Sequence, residues 1–217
     1  MTVGDHPKYL AIGYLYNQNL LENLDDIKEI EFEKDINTVV VRTKKVTTFE
    51  ISEKKKIKTS GCANGTIFGD IIDEIENINL TSSFSLESEQ LLELYKKINK
   101  IPSLYLKSGA IHGCLLCTKN DTLVFFEDVG RHNAIDKLAG YMFLKKIDPN
   151  DKILYTTGRL TSEMVIKTIF MKIPVLASRS GFTAWGVELA LQANLTMIGR
   201  LRGRRYMILS GENRIIN

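Results

Sequence analysis

The sequence lacks any long uninterrupted run of apolar residues. No segment approaches the roughly 18 consecutive apolar residues that a membrane-spanning helix requires. Residues 1–7, Met-Thr-Val-Gly-Asp-His-Pro, contain no apolar signal core. The sequence therefore predicts a cytoplasmic protein without a membrane segment.

Cysteine is also scarce, and several common catalytic motifs are absent. The 217 residues include 3 cysteines, and an odd number in a chain of this size does not form a disulfide framework, so we expect reduced thiols. The chain has no Gly-x-Ser-x-Gly elbow, no phosphate loop ending in Gly-Lys-Ser/Thr and no His-Glu-x-x-His. These absences argue against a hydrolase or nucleoside triphosphatase of the classes that carry these motifs. The formal charge of +3 is too small to indicate nucleic-acid binding.

Hydrophobic residues make up 44% of the chain, which is enough to bury a core. From Ala110 onward, short apolar segments alternate with helical patterns, which predicts a layered α/β domain with helices on both faces of a sheet. A polar boundary near residue 80 predicts a small N-terminal α+β subdomain (1–80) and a main domain (81–217). The expected strands are 27–32, 38–41, 111–117, 123–126, 153–155, 175–177, 196–198 and 206–209, and the expected helices are 9–21, 86–98, 161–171, 183–192 and one that begins within 127–140.

The segment Glu127–Gly140 joins an expected strand to an expected helix. Its apolar residues recur at helical spacing, and polar or ionisable residues fill the turn before them. A helix N-terminus at such a junction exposes free N–H groups and the positive end of the helix dipole, which favour an anion. Arg131 and Lys137 add positive charge there. A capped helix with a salt-bridged rim is the alternative.

Two further strand-to-helix loops repeat this pattern. Residues 156–163 and 178–183 are polar and contain one arginine each, and more arginines lie between Arg200 and Arg205. Ligands of open α/β sheets bind outside the carboxyl ends of the strands, and the arginine side chain matches the geometry of phosphate. These loops therefore predict a phosphate-binding pocket, with a solvated basic rim as the alternative.

The cysteines occupy two kinds of surroundings. Cys62 lies in a glycine-bracketed loop, residues 59–66, which suits a thiol that meets a partner, although an incidental loop cysteine is the alternative. Cys114 and Cys117 form His-x-Cys-x-x-Cys with His112. A structural zinc ion normally takes four ligands, and Cys114 and Cys117 would point to opposite faces of a strand. We expect these two cysteines to be small core residues.

The segment Glu-Asp-Val-Gly-Arg-His-Asn-Ala-Ile-Asp-Lys, residues 127–137, resembles the signature of the FdhD/NarQ family, the sulfurtransferases required for formate dehydrogenase activity. His112 takes the place of the histidine in the family's Gly-Gly-x-His segment. The similarity covers nearly all of residues 106–210 and, more weakly, residues 7–20. It continues through Thr157-Gly158-Arg159, Ser162-Glu163, Lys167, Ile173-Pro174-Val175 and the segment 199–205.

The resemblance implies a cytidine-deaminase-like main domain and a homodimer. It implies a carrier that takes sulfur as a persulfide from a cysteine desulfurase and passes it to the molybdenum bis(molybdopterin guanine dinucleotide) cofactor, which is then inserted into formate dehydrogenase. By this resemblance Cys62 is the catalytic persulfide carrier, and no nucleic acid or protein-bound metal ion is expected. The residues expected to bind the cofactor are His112, Arg131, His132, Asn133, Asp136, Lys137, Gly158, Arg159, Ser180, Arg200, Leu201, Arg202, Gly203, Arg204 and Arg205.

The chain departs from the family pattern at several positions. Gly65 stands where the family has a second loop cysteine, which excludes a mechanism that needs two thiols there. Ala110 replaces a glycine, and Arg200 stands where an aromatic residue is usual. A cofactor-binding chaperone without sulfur transfer is therefore a second hypothesis. A zinc deaminase is a third, although the chain lacks the glutamate two residues after His132 and the Pro-Cys-x-x-Cys of that class.

Overall fold

The computed structural model describes residues 1–44, 56–58, 66–68, 75, 77–104 and 108–216. The predicted sulfur carrier Cys62 and its neighbour Gly65 lie outside the described residues. The helices in these ranges are α1 (Pro7–Asn17), α2 (Ser88–Ile98), α3 (Arg131–Lys145), α4 (Ser162–Phe170) and α5 (Ala184–Gln192). None of them is long and apolar enough to cross a membrane.

Strands in the same ranges form one large sheet and three small ones. The small sheets pair β1 with β2, β3 with β4, and β5 with β12. The strands are β1 (Ile27–Glu33), β2 (Thr38–Thr43), β3 (Lys56–Lys58), β4 (Thr66–Phe68), β5 (Leu86–Glu87), β6 (His112–Cys117), β7 (Thr122–Asp128), β8 (Ile153–Thr156), β9 (Val175–Ser178), β10 (Thr196–Arg202), β11 (Arg205–Ser210) and β12 (Ile215–Ile216).

The large sheet has the strand order β11-β10-β9-β8-β6-β7. Its strands β8, β9 and β10 are parallel neighbours, whereas β6 runs antiparallel to both β8 and β7, and β11 runs antiparallel to β10. The carboxyl ends of β7, β8, β9 and β10 therefore meet on one side of the sheet, where β6 begins. We call this side the carboxyl edge.

Helices cover both faces of the large sheet, as the alternation of strands and helices predicted. On one face, α3, α4 and α5 pack against strand residues such as Leu116 and Leu154. On the other face, α2 packs against their neighbours in sequence, such as Leu115 and Tyr155. The alternation of side chains along each strand produces these two cores. The fold is mixed α/β, and its specific likeness to the cytidine deaminases stays a prediction.

The first helix begins and ends at different residues from those predicted. We expected a helix over residues 9–21, but α1 begins at Pro7 and ends at Asn17. Proline suits the first helical position because its missing N–H would have no partner there. Asn19 adopts the left-handed conformation, with φ of 54°, so the chain leaves the helix before residue 21.

Glycines allow α1 to lie directly against α3. A Cβ atom added to Gly13 would lie 1.7 Å from the backbone oxygen of Asp136, and one added to Gly140 would lie 2.0 Å from the backbone oxygen of Tyr9. The contact therefore depends on the absence of side chains at both positions. Although α1 packs against the main domain in this way, the division near residue 80 stays a prediction.

Two other boundaries are corrected by the structure. The helix expected from Leu86 begins at Ser88, because β5 pairs with β12 and Glu87 forms a capping box with Gln90. Strand β10 continues to Arg202 instead of ending at residue 198, so part of the arginine segment belongs to the sheet.

Candidate functional site

Hydrogen bonds join the loops of the carboxyl edge in the order of their strands. Gly113 N–H donates to Thr157 Oγ1 over 2.9 Å, and Thr157 N–H donates to Gly113 O over 3.0 Å. Ser180 Oγ donates to Thr157 O over 3.0 Å, and Arg200 N–H donates to Ser180 O over 2.9 Å. The structure therefore brings the start of β6, the loops after β8 and β9, and the arginine segment together.

Arg131 is the first residue of α3, and it is buried against the loop after β8. Only 6% of the residue is exposed. A Cβ atom added to Gly158 would lie 2.9 Å from carbon atoms of the Arg131 side chain, so the glycine makes room for it. The Nε and Nη2 atoms of Arg131 are buried and have no hydrogen-bond partner. An unsatisfied buried guanidinium is unfavourable unless a ligand binds it.

His132 and His112 lie near this arginine. His132 Nε2 lies 2.9 Å from Glu163 Oε2, which is the distance of an ion pair although the atoms are not aligned for a hydrogen bond. This contact links the first turns of α3 and α4. His112 is half-buried at the start of β6, and its pKa is lowered by burial and then by the positive charges of Arg131, His132 and Arg159. Positive charge therefore predominates around His112.

Lys137 and Asp128 form a fully buried ion pair beneath the first turns of α3. Lys137 Nζ lies 2.5 Å from Asp128 Oδ2 and donates to Glu127 O over 2.9 Å. Asp5, in the N-terminal segment, also pairs with Lys137. Thr2 Oγ1 from the same segment donates to Asp128 Oδ2 over 2.6 Å. The Lys137 ammonium is thus surrounded by acceptors from the protein itself.

Asn133 and Asp136 are held in the same way. Asn133 Nδ2 donates to Asp128 Oδ1 over 3.0 Å. Lys167 Nζ donates to both carboxylate oxygens of Asp136 over 2.8 and 2.7 Å, and Asn17 Nδ2 donates to one of them over 2.7 Å. These bonds tie the start of α3 to β7, α1 and α4. Direct contact between these residues and a cofactor stays a prediction.

The arginine segment lies at the end of β10 and in the turn that follows. Arg200 adopts the left-handed conformation, with φ of 53°, and its guanidinium lies 5.9 Å from the centre of the Phe182 ring. Leu201 is buried, while Arg202 is exposed and donates from Nε to Arg179 O over 3.1 Å. The other predicted residues of this segment are exposed: Gly203 and Arg204 form the turn between β10 and β11, and Arg205 is the first residue of β11.

Cys114 and Cys117 are core residues on opposite faces of the sheet, as predicted. Cys114 packs with α3 and α4, and its Sγ donates to Thr156 Oγ1 over 3.4 Å. Cys117 packs on the α2 side. Burial raises the pKa of each thiol to about 12. Because the two thiols point away from each other, they do not form a metal triad with His112.

Several residues that build the carboxyl edge were not predicted as site residues. Thr2 contacts the end of β7 and Asp5 contacts α3, each from more than a hundred residues away in sequence, so no local pattern indicates these contacts. Asp128 and Glu163 lie within the segments that resemble the family, but their spacing alone does not reveal that they pair with Lys137 and His132.

A comparison with protein families assigns this chain to one of them. The model of the FdhD/NarQ family matches residues 1–216. The chain belongs to the FdhD/NarQ family. The family resemblance predicted from residues 127–137 is therefore confirmed over the whole matched length.

Named FdhD/NarQ relatives agree with this assignment. The sulfur carrier protein FdhD of Saccharolobus solfataricus is 32% identical over 216 residues, which cover 99% of this chain and 81% of the relative. The sulfur carrier protein FdhD of Wolinella succinogenes is 28% identical over 209 residues, which cover 94% of this chain and 72% of the relative. A crystal structure from Desulfotalea psychrophila, assigned as a formate dehydrogenase accessory protein, matches with a TM-score of 0.77 and 25% identity, covering 100% of this chain and 82% of that chain.

Proposed function

We propose that the chain is a sulfur carrier in the maturation of formate dehydrogenase. In this proposal Cys62 accepts sulfur as a persulfide from a cysteine desulfurase. The sulfur then passes to the substrate, the molybdenum bis(molybdopterin guanine dinucleotide) cofactor, before the cofactor enters formate dehydrogenase. The protein acts as a cytoplasmic, homodimeric sulfurtransferase. The names of its relatives, sulfur carrier protein FdhD, support this function.

The observation that carries the proposal is the burial of Cys114 and Cys117. Both side chains are 0% exposed, and burial raises the pKa of each thiol to about 12. Sulfur transfer requires a thiolate that can reach the donor. Two of the 3 cysteines therefore stay protonated and shielded at neutral pH, which supports Cys62 as the proposed carrier.

The proposed loading step is a thiol exchange at Cys62. Its thiolate attacks the outer sulfur of the desulfurase persulfide, so that an S–S bond forms at Cys62, the S–S bond of the donor breaks, and the desulfurase cysteine leaves as a thiolate. In delivery, the outer sulfur moves to the reduced molybdenum centre of the substrate. That centre supplies the electron pair that converts the sulfur to sulfide, and the Cys62 thiolate is released.

The carboxyl edge suits the phosphate groups of this substrate. Phosphate is bound by helix N-termini and by arginine, and the edge combines the starts of α3 and α4 with the arginines at its rim. Arg131 supplies buried donors, while Arg159, Arg200 and Arg202 supply exposed positive charge. We propose that these groups bind the guanine dinucleotide halves.

Mass spectrometry of Cys62 tests the function directly. The full chain is incubated with a cysteine desulfurase and cysteine, and we expect one added sulfur atom on the peptide that contains Cys62. The matched control is Cys114→Ala/Cys117→Ala, which keeps Cys62 alone and should load like the wild type. Sulfur found on Cys114 or Cys117, or none on Cys62, would contradict the proposal.

Gly65 favours a second candidate function. Because the family's second loop cysteine is absent, the chain would serve as a cofactor-binding chaperone that transfers no sulfur. Under this hypothesis Cys62→Ala still supports formate dehydrogenase maturation, and no sulfane sulfur is found on the protein. Loss of maturation in Cys62→Ala favours the sulfur carrier instead.

A further inference from the structure

The two unpartnered nitrogens of Arg131 lie on the same side of its guanidinium group. The Nε–H and Nη2–H bonds point in nearly the same direction, so together they form the fork that binds two oxygens of one anion. Both atoms are buried and lack a hydrogen-bond partner, and only 6% of the residue is exposed. Two parallel donors held inside the protein are suited to bind an oxyanion.

Acidic residues around the start of α3 contact side chains other than Arg131. Glu163 lies against His132. Asp128 pairs with Lys137, and Asp136 pairs with Lys167. Within the described part of the chain, no carboxylate forms an ion pair with Arg131. The positive charge of this arginine is therefore left for a ligand to balance.

Two helix ends add donors beside the Arg131 fork. Helices α3 and α4 begin without a side-chain cap, and the N-terminus of a helix favours an anion. Thr161, the residue before α4, is 4% exposed, and its buried Oγ1 has no hydrogen-bond partner. The contact between His132 and Glu163 holds the two first turns side by side. Gly158, in the loop that leads to α4, packs against Arg131.

We propose that Arg131 and the first turns of α3 and α4 form a site for one tetrahedral oxyanion of the phosphate class. The Arg131 fork binds two of its oxygens, and the helix N–H groups and the Thr161 hydroxyl bind the others. The oxyanion is either free phosphate or the phosphoryl group of a nucleotide. In the second case the inference rests on the proposed function, and it identifies the residue that anchors a phosphoryl group of the substrate.

Titration calorimetry on the full chain distinguishes these sources. The probes are inorganic phosphate, guanosine monophosphate and guanosine, which has no phosphoryl group. Arg131→Met should weaken binding of phosphate or of the monophosphate by about tenfold or more, the scale of charge-assisted hydrogen bonds. Arg131→Lys keeps the charge but loses the fork, and should also weaken binding. The control Arg42→Met removes an exposed arginine that is paired with Glu29 and should change nothing.

Thermal unfolding separates a binding role from a purely structural one. Without phosphate, Arg131→Met removes an unpaired buried charge, so its unfolding midpoint should equal or exceed that of the wild type. With phosphate, ligand binding stabilises the wild type selectively, so the wild type should have a higher unfolding midpoint than Arg131→Met. A lower midpoint for Arg131→Met without phosphate would overturn the proposal. So would the absence of wild-type binding to both phosphate probes, or binding that Arg131→Met leaves unchanged.

The failure of this inference is distinguishable from failure of the sulfur-carrier proposal. Phosphate binding is measured without a desulfurase, and sulfur loading of wild-type Cys62 is measured without phosphate. If the chain binds phosphate through Arg131 but never loads Cys62, the oxyanion site is supported and the sulfur-carrier proposal is refuted. If the chain loads Cys62 but binds no phosphate, the sulfur-carrier proposal is supported and the oxyanion site is refuted.

Discussion

Replacing Lys137 with methionine tests whether this residue supports the fold or binds a ligand. Methionine fills similar space but removes the ammonium group, which leaves the fully buried Asp128 carboxylate with donors only from Thr2 and Asn133 among the contacts described here. Breaking a buried ion pair on one side costs about 3–5 kcal/mol. Asp5 is exposed, so its loss of a partner adds little. We expect Lys137→Met to lower the free energy of unfolding by about 3–5 kcal/mol at neutral pH.

A second substitution isolates the ion pair as the cause. Asp128→Asn removes the unpaired charge, so Lys137→Met/Asp128→Asn should be more stable than Lys137→Met alone. The interaction energy of the double-mutant cycle should be about 1–3 kcal/mol. Additive effects of the two substitutions would show that the pair is not the source of the loss.

The pH dependence of this loss has a definite sign. Burial acts to raise the pKa of Asp128, but hydrogen bonds from Lys137, Thr2 and Asn133 outweigh it and lower the pKa below its usual value. In the wild type this contributes stability above the ordinary carboxyl pKa that is lost as the pH falls through the folded pKa. Without Lys137 the pKa of Asp128 should rise. The deficit of Lys137→Met should therefore shrink as the pH falls toward about 4.

Urea unfolding followed by tryptophan fluorescence measures these effects. Trp185 is the single tryptophan, and it packs against the core formed by α3, α4 and α5. The matched control is Lys145→Met, which changes an exposed lysine at the end of the same helix and should stay within about 0.5 kcal/mol of the wild type. A Lys137→Met protein as stable as this control would refute a structural role and favour ligand binding by Lys137.

Two further predictions use the same unfolding assay. Gly13→Ala should destabilise the protein by about 3 kcal/mol, the upper end of the cost of overpacking, because its Cβ would lie 1.7 Å from the backbone oxygen of Asp136. The control is Gly181→Ala, whose Cβ would meet nothing within 4 Å. Equal losses of stability in the two variants would contradict the contact between α1 and α3. The lowered pKa of His112 means that the unfolded chain binds its proton more readily, so stability should fall as the pH drops below about 6.5. His112→Gln should reduce this pH dependence, and an unchanged slope would show that another group causes it.

The layered core follows from the sequence because its signals are local. Strand residues alternate between two faces, and this alternation alone predicted that Cys114 and Cys117 would pack in different cores. The carboxyl edge was predictable for a similar reason, since polar loops that follow consecutive parallel strands must gather on one side of a sheet. The structure joins those loops through Thr157 and Ser180.

Other features depend on contacts between distant parts of the chain. Nothing in residues 1–6 indicates that Thr2 and Asp5 reach the start of α3. Gly13 lies inside α1, and only the structure shows that its missing side chain permits the contact with α3. The positive charges of Lys137 and Arg131 looked equivalent in sequence. Only packing reveals that the first is balanced inside the protein and that the second is not.

This difference changes the interpretation of the segment Glu127–Gly140. Most of its charged side chains are paired within the protein, so they position the start of α3 and contribute little net field toward a ligand. The positive character of the edge then has two sources that differ in solvent exposure. Exposed arginines such as Arg202 act through solvent and are screened by salt, whereas the buried Arg131 fork is screened much less. Under the proposed function, the exposed arginines would attract a large anionic substrate, and the buried donors of Arg131 would place one of its oxyanions.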